Sequence, residues 1–331
     1  MIVSRGAALI VVTPMLSLLA IFGVLGATPH GSSAQRSDEA ARTAELRSMV
    51  QRAHRLPLKA REIAPNPPRD GWAMGMVSWV AADRNGLVYL LQRGDKADPV
   101  VVMNRDGKVV RSWGAGLYVM PHAIRIDPRG NVWTTDAASS KVIEFTPDGT
   151  KVMEIAVGGQ PTPCRNNFCG TTDIAFAKNG HLFIADGYAN ARILEYTGDG
   201  KKVREWGTAG TGPGQFRLPH SIQIDEEGLV YVADRENGRV QWFDQAGTYL
   251  GEWAAFGKTF SLKAEPGSMW LATQPRDEPN LSPGWLMKID RKTGSIAGFV
   301  EVTGVHGMDT TPNGELLVGP GPDAKAPQWF R

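Results

Sequence analysis

The chain has 331 residues, of which 42% are hydrophobic and 21% are charged, and it contains 38 glycines. This length allows one large hydrophobic core, and the glycine content is too high for a helical bundle, which favours a repetitive β architecture. The 36 basic and 34 acidic residues leave a formal net charge of only +2. Such a small charge argues against a nucleic-acid partner.

Residues 1–34 have the pattern of a signal peptide. Arg5 precedes an apolar stretch from Ala7 to Ala27, and small residues lead to a cleavage site that we place after Ala34. The apolar stretch is also about as long as a bilayer-spanning helix, so an uncleaved N-terminal membrane anchor is the alternative. In both cases we expect a secreted or periplasmic protein.

The two cysteines, Cys164 and Cys169, lie five positions apart. An oxidising compartment allows them to form a disulfide across a short loop, and two free thiols are the alternative.

The segment 35–70 is predicted to be a lead-in to the main domain, 71–331. Residues 38–54 alternate apolar and charged side chains at helical spacing, which predicts one helix. A proline-rich linker follows, because Pro57, Pro65, Pro67 and Pro68 break regular structure.

The main domain contains six copies of one strand-rich repeat. Four copies are clear and two are weaker; they include PHAIRIDPRGNVWTTDAASSKVIEF, TTDIAFAKNGHLFIADGYANARILEY and PHSIQIDEEGLVYVADRENGRVQWF. Equivalent positions are Ser78, His122, Thr172, His220, Phe260 and His306, with a spacing typical of propeller blades. Turn dipeptides such as Asn85-Gly86 join strands within a copy, and the pattern resembles NHL-type repeats. The sequence therefore predicts an all-β, six-bladed β-propeller. Which strand closes the ring stays open, and an N-terminal strand before Met76 is one candidate.

Three histidines share one position of this repeat. His122, His220 and His306 belong to copies two, four and six, so they are predicted to lie on alternate blades and to converge on the central channel. Three imidazoles with an open position are the usual ligand set of catalytic zinc. For each histidine alone, a hydrogen-bonded structural role at a strand start is the alternative.

Several blocks carry a family resemblance over roughly Met76 to the C-terminus. The blocks FCGTTDIAF, ADGYANARI, PGQFRLPHSI and YVADRENGRVQWF, together with VAADRNGLVYLLQR at Val80–Arg93, resemble the peptidyl-α-hydroxyglycine α-amidating lyase family, in a bacterial-type stand-alone form. The resemblance implies a carbon–nitrogen lyase that acts on a small or peptidyl substrate with a carboxylate. It also implies a zinc cofactor, and we expect a monomer.

The resemblance assigns roles to individual residues. It implies that His122, His220 and His306 are the zinc ligands and that Tyr188 is the catalytic base. Arg235 and Arg93 match active-site arginines, so the resemblance implies catalytic and substrate-binding roles for both. Arg235 would tune the tyrosine and stabilise developing negative charge, and Arg93 would hold the substrate carboxylate through two parallel hydrogen bonds.

The chain also departs from the family. The backbone carbonyls of Val80 and Ile124 match contributors to a calcium site, but Gly307 stands where the family has a calcium-binding aspartate, which argues against calcium. Binding of an ion on the axis by these carbonyls, with Asp309 or water, is the alternative. Ala189 stands at the family's disulfide position, which leaves Cys164 as the partner of Cys169.

Three functions remain open from the sequence. The first is a zinc lyase that cleaves a carbinolamide such as peptidyl-α-hydroxyglycine to an amide and glyoxylate. The second is a metal-dependent hydrolase, such as a lactonase, and the third is a non-catalytic NHL scaffold that binds a protein or glycan.

Overall fold

The computed structural model describes residues 33–159, 168–276, 284–321 and 326–331. The segment 1–34 falls almost entirely outside these ranges, and so does Cys164, so the predicted signal peptide and disulfide stay predictions. Within the described ranges, no helix combines the length and the apolarity needed to cross a bilayer.

The described strands form six four-stranded antiparallel sheets, which are the blades of a propeller. From the innermost strand outward, blade 1 comprises β2 (Val77–Ala82), β3 (Val88–Gln92), β4 (Val100–Met103) and β5 (Val109–Trp113). Blade 2 comprises β6 (Pro121–Ile126), β7 (Val132–Asp136), β8 (Lys141–Phe145) and β9 (Lys151–Ala156). Blade 3 comprises β10 (Thr171–Phe176), β11 (Leu182–Asp186), β12 (Arg192–Tyr196) and β13 (Lys202–Trp206). Each of these blades follows the chain outward.

The second half of the ring repeats this arrangement. Between blades 3 and 4, β14 (Thr208–Ala209) and β15 (Gln215–Phe216) form a short parallel pair. Blade 4 comprises β16 (Pro219–Ile224), β17 (Val230–Asp234), β18 (Arg239–Phe243) and β19 (Tyr249–Trp253). Blade 5 comprises β20 (Lys258–Glu265), β21 (Ser268–Gln274), β22 (Gly284–Asp290) and β23 (Ile296–Val302). Blade 6 comprises β24 (Gly307–Thr310), β25 (Leu316–Gly319), β26 (Gln328–Phe330) and, as its outermost strand, β1 (Ala60–Glu62). The innermost strands contact one another around the ring, which confirms the predicted six-bladed propeller.

The N-terminal strand β1 closes the ring. It pairs antiparallel with β26, with Ala60 opposite Phe330 and Glu62 opposite Gln328. A strand before Met76 therefore completes the last blade, which settles a point that the sequence left open. Because β1 comes from the segment that the sequence assigns to the linker, the propeller takes a strand from before residue 71.

The helix α1 (Ser33–Arg52) precedes β1 and confirms the helical lead-in. Leu46 and Val50 lie one turn apart on one face and are buried in a hydrophobic cluster with Trp253 and Leu271 of blades 4 and 5. An apolar face with this spacing buries itself against the rest of a protein. The helix is thus packed onto the propeller.

Irregularities at the start of the innermost strands distinguish these strands from the outer ones. In blades 1 to 5 the pairing of the innermost strand skips residues near its start, and the skipped residues include Ser78, His122, Thr172, His220 and Phe260. A β-bulge of this kind redirects a side chain out of the regular alternation. The repeat position that the sequence singled out is therefore the position at which side chains leave the sheet pattern.

Ring closure depends on backbone hydrogen bonds that join β1 and the residue before it to the C-terminal residues. The amide of Lys59 donates to Arg331 O at 2.9 Å, whereas the Lys59 side chain is exposed. We expect Lys59→Pro, which removes this donor, to lower the free energy of unfolding by about 1–3 kcal/mol in denaturant titrations. Lys59→Ala is the control and should change stability little; equal stability of the two variants would contradict closure through β1.

Candidate metal centre

Three histidines from alternate blades form one cluster near the propeller axis. His122 and His220 are the second residues of β6 and β16, and His306 immediately precedes β24. Their ring centroids lie 4.9 Å, 4.9 Å and 5.1 Å apart, and one nitrogen of each can be chosen so that all three lie within 4.8 Å of one another. Among the described residues, this is the only group of three potential metal-ligating side chains found so close together.

Each imidazole is oriented by a backbone carbonyl of the next blade. The Nδ1 atoms of His122, His220 and His306 lie 2.6, 2.7 and 2.8 Å from the carbonyl oxygens of Thr172, Phe260 and Ser78, which occupy the same repeat position. A carbonyl only accepts, so Nδ1 carries the proton and donates it. The lone pair of each Nε2 is then available to a metal ion, as in histidine sites whose other nitrogen is held by the protein.

The cluster is buried, and this keeps the imidazoles neutral. The exposed fractions are 0% for His122 and His220 and 5% for His306. Burial lowers the pKa of all three, that of His306 to about 3, and the charges of nearby arginines act in the same direction. Because neutral imidazole is the form that binds metals, three such nitrogens fit a catalytic zinc site with an open position.

Tyr188 lies at the same cluster. It follows β11, and its hydroxyl lies 2.8 Å from Nε2 of His122 and 3.3 Å from Nε2 of His220. Since Nδ1 of His122 holds the proton, the Tyr188 hydroxyl donates to Nε2. Burial raises the pKa of Tyr188, and the positive charges of Arg235 and Arg93 partly oppose this shift. The described structure thus holds a neutral phenol beside the candidate metal ligands.

The two arginines predicted for the active site, Arg235 and Arg93, also lie near Tyr188. Arg235 opens a short 3-10 helix (Arg235–Asn237); its Nε donates to Glu236 Oε1 at 2.9 Å, and its guanidinium lies 5.0 Å from the centre of the Phe260 ring. Arg93 follows β3 and donates from Nε to Pro121 O and from Nη2 to Ser78 Oγ, each at 2.9 Å. Both charges act on Tyr188, so both lie close enough to influence the site.

Three buried aspartates order the turns that carry these side chains. Asp136 accepts hydrogen bonds from the amides of Val119 and Met120, just before His122. Asp234 accepts from the amide of Arg217, close before His220. Asp186 likewise pairs with Arg192, beyond the turn that holds Tyr188.

An open cavity adjoins Tyr188. It has a volume of about 540 Å³, and its walls include Ala189, Ala191, Phe216 and Leu218. Glu236, which pairs with Arg235, lies at the same cavity. The cavity gives the buried cluster a solvent-accessible neighbour large enough for part of a substrate.

The residues that the resemblance implies for calcium do not provide a calcium site. Val80 and Ile124 are buried in β2 and β6, and the nearby carboxylate of Asp309 is already engaged by the Ala82 amide and by Lys263. Gly307 offers no side chain. Calcium prefers several oxygen ligands that include carboxylates, so this set does not fit it.

Three further residues at the site were not among those predicted from the sequence. Phe168 packs on Tyr188 with ring centroids 4.6 Å apart, Glu236 pairs with Arg235, and Trp79 lies against all three imidazoles. Trp79 directly follows the repeat position of the histidines, where the other copies have small or acidic residues, so superposing the repeats could have found it. Cys169 is 4% exposed, and its predicted partner lies outside the described residues.

The buried imidazoles predict acid sensitivity of the metal-free protein. The pKa of His306 is about 3 in the folded state, against about 6.5 in an unfolded chain, so below pH 6.5 protonation favours unfolding. Between pH 6.5 and 5, chelator-treated wild type should lose roughly 2 kcal/mol more stability than His306→Gln. Denaturant titrations at the two pH values measure this difference. His54→Gln, at an exposed site, should behave as wild type, and an unchanged pH dependence of His306→Gln would contradict the prediction.

Comparisons with known proteins agree with the propeller fold and its NHL-type repeats. The NHL repeat model matches residues 216–243. A solved streptogramin B lyase structure has a TM-score of 0.58 at 14% identity, covers 83% of this chain and 97% of its own, and shows likeness of fold. Over 60% of this chain, the sequence is 32% identical to peptidyl-glycine α-amidating monooxygenase B of Xenopus laevis. The match spans only 27% of the Xenopus protein.

Two relatives match over most of their length. The probable peptidyl-α-hydroxyglycine α-amidating lyase of Caenorhabditis elegans is 28% identical over 76% of this chain and 81% of its own length. The peptidyl-α-hydroxyglycine α-amidating lyase 2 of Drosophila melanogaster is 32% identical over 77% of this chain and 70% of its own length. With its six-bladed NHL propeller and histidine cluster, the chain belongs to the peptidyl-α-hydroxyglycine α-amidating lyase family.

Proposed function

We propose that this protein is a zinc-dependent lyase that cleaves the C–N bond of a carbinolamide, such as a peptidyl-α-hydroxyglycine, to an amide and glyoxylate. The observation that carries the proposal is the convergence of three neutral imidazoles with the Tyr188 hydroxyl, 2.8 Å from His122 Nε2. The names of the relatives support lyase chemistry.

The three Nε2 atoms of His122, His220 and His306 are the groups that would hold zinc. When bound there, zinc would supply Lewis acidity that stabilises negative charge on a substrate oxygen and favours the phenolate form of Tyr188. This help is needed because burial raises the pKa of Tyr188. The positive charges of Arg235 and Arg93 act in the same direction as the metal.

Tyr188 would move the proton of the substrate hydroxyl. As phenolate it would accept this proton, so that the C–O bond becomes the C=O bond of glyoxylate and the C–N bond breaks. The electron pair of the C–N bond goes to nitrogen, which takes a proton from Tyr188 or from water to give the amide. Atoms and charge balance without any oxidant or reductant, as a lyase reaction requires.

The two arginines suit a substrate with a carboxylate. Arg93 is held by Pro121 O and Ser78 Oγ, and burial lowers its pKa, so an anion beside it would relieve the cost of its buried charge. Arg235 is partly neutralised by Glu236, and it acts mainly on Tyr188. The cavity next to Tyr188 has room for the acyl or peptidyl part of the substrate.

The setting of the reaction is also part of the proposal. The apolar segment Ala7–Ala27 supports export, either with cleavage or as a membrane anchor, and export supports a disulfide between Cys164 and Cys169. We propose that the protein works as a monomer outside the cytoplasm and takes a hydroxylated glycine derivative that an oxygenating reaction must supply.

Assay of the purified full chain with α-hydroxyhippurate tests the reaction. We expect equal amounts of benzamide and glyoxylate, loss of activity after chelation, and recovery with zinc. Bound zinc without glyoxylate release would instead favour a metal-dependent hydrolase such as a lactonase. Absence of any bound metal would favour a non-catalytic scaffold, and both outcomes contradict the lyase.

Tyr188→Phe tests the proposed base. Loss of a general base typically slows a reaction about 10²–10⁴-fold, so kcat should fall by that factor while zinc content stays unchanged. Tyr249→Phe is the control, because Tyr249 bonds Glu252 on the outermost strand of blade 4. Full activity of zinc-loaded Tyr188→Phe would remove the tyrosine from the mechanism.

A further inference from the structure

A layer of side chains lies directly against the histidine cluster on the propeller axis. This layer is formed by the residue after each aligned repeat position, namely Trp79, Ala123, Asp173, Ser221, Ser261 and Gly307. Trp79 is by far the largest and is fully buried. Its ring centroids lie 5.8, 6.2 and 5.8 Å from the rings of His122, His220 and His306. Nearly equal distances to all three place the indole near the axis, next to the cluster.

Gly307 makes room for this indole. A Cβ at Gly307 would lie 2.6 Å from Trp79 Cα and closer still to the ring, and real Cβ atoms essentially never come so near. The position at which the family has an aspartate is therefore filled by Trp79. A carboxylate cannot enter without displacing the tryptophan.

The guanidinium of Arg125 lies over the ring of Trp79. Its central carbon is 4.9 Å from the centre of the Trp79 ring, within the range of a cation–π contact. Arg125 Nε and Nη2 donate to the two carboxylate oxygens of Asp173 at 2.9 and 2.6 Å. The same guanidinium also donates to Ser221 Oγ at 3.3 Å.

Two further donations reach backbone carbonyls near the axis. They go to Met308 O at 3.2 Å and to Leu262 O at 3.4 Å. Met308 and Leu262 stand two residues after the aligned positions of their blades, and so do Val80 and Ile124 in theirs. Arg125 therefore binds in the layer of carbonyls to which the family resemblance assigns calcium. Arg125 belongs to β6. Its contacts with Trp79, Asp173, Ser221, Leu262 and Met308 reach the innermost strand of each of the other five blades.

We propose that Arg125 is the resident axial cation of this propeller and replaces calcium there. A built-in guanidinium neutralises Asp173 and occupies carbonyl oxygens, which are the ligands that calcium would need. Its fixed positive charge also repels a divalent ion. The remaining carboxylate of this region, Asp309, is engaged by Lys263 and the Ala82 amide.

The energetics favour a permanently charged Arg125. Its side chain is only 6% exposed and that of Asp173 is 0% exposed, so each charge needs the other. Burial opposes the charge of Arg125, but attraction and hydrogen bonds from Asp173 outweigh it and raise the pKa of Arg125. Unlike a bound ion, this cation cannot dissociate.

Metal titration of the wild-type full chain tests the proposal, whatever reaction the protein catalyses. The protein is stripped with EDTA, dialysed, and given calcium or zinc separately. We expect no stoichiometric calcium in the purified protein and a thermal midpoint that millimolar calcium leaves unchanged within about 1 °C. Stoichiometric calcium, or a clear rise of the midpoint with calcium alone, would overturn the proposal.

Variants of the axial residues provide a second test. Removing one partner of a buried ion pair is costly, so Arg125→Met should lower the midpoint by about 5–10 °C, and adding Asp173→Asn should recover part of the loss. Arg129→Met is the matched control, because the Arg129 side chain is 65% exposed although it also pairs with acids. A midpoint of Arg125→Met equal to that of the control would contradict the proposal. If Arg125→Met does not fold, the calcium titration of wild type still decides.

Gly307→Asp restores the carboxylate that the family has at this position. It tests directly whether the axis takes calcium or only the Arg125 guanidinium. We expect a lower midpoint, because the new Cβ collides with Trp79, and no recovery with calcium. Gly158→Ala, at a glycine with no heavy atom near its Cβ position, is the control and should keep the wild-type midpoint. Full recovery of Gly307→Asp by calcium would show that the axis accepts this ion beside Arg125.

Discussion

The candidate metal centre depends on one repeated interaction, the hydrogen bond from a histidine Nδ1 to a carbonyl of the next blade. It occurs from blade 2 to blade 3, from blade 4 to blade 5 and from blade 6 to blade 1. The last of these bonds joins His306 to Ser78, which are 228 residues apart. Since that bond joins the last blade to the first, the site is complete only when the ring is closed.

The interior of the ring stacks charged and aromatic groups along one axis. Tyr188 contacts the imidazoles and lies near both arginines, while Trp79 packs on the same imidazoles and on Arg125. Each buried arginine is matched by a nearby acid or carbonyl, but the side with Arg93 and Arg235 keeps an excess of positive charge beside an open cavity. Such a field favours an anionic substrate and the ionised form of a tyrosine.

Irregular backbone, and not the regular sheet, places the functional side chains. The bulges in β6 and β16 release His122 and His220 from the alternation of the strand, and the turns after β11 and β17 hold Tyr188 and Arg235. Buried Asp136 and Asp234 fix the segments just before these bulges by accepting the backbone amides of Val119, Met120 and Arg217. The regular blades therefore act as a rigid frame, and the departures from regularity carry the chemistry.

The number of blades and the grouping of the three histidines could be predicted from the sequence, because both follow from the period and phase of one repeat. The strand that closes the ring could not, because pairing between β1 and β26 joins residues far apart in the chain. The sequence also could not determine the roles of Trp79, Arg125 and Asp173, since these depend on which neighbours meet across the axis. The replacement of an acidic residue by Gly307 was visible in the sequence, but not what fills the space. Only the tertiary structure decided that, because packing at an axis is set by residues from all six blades at once.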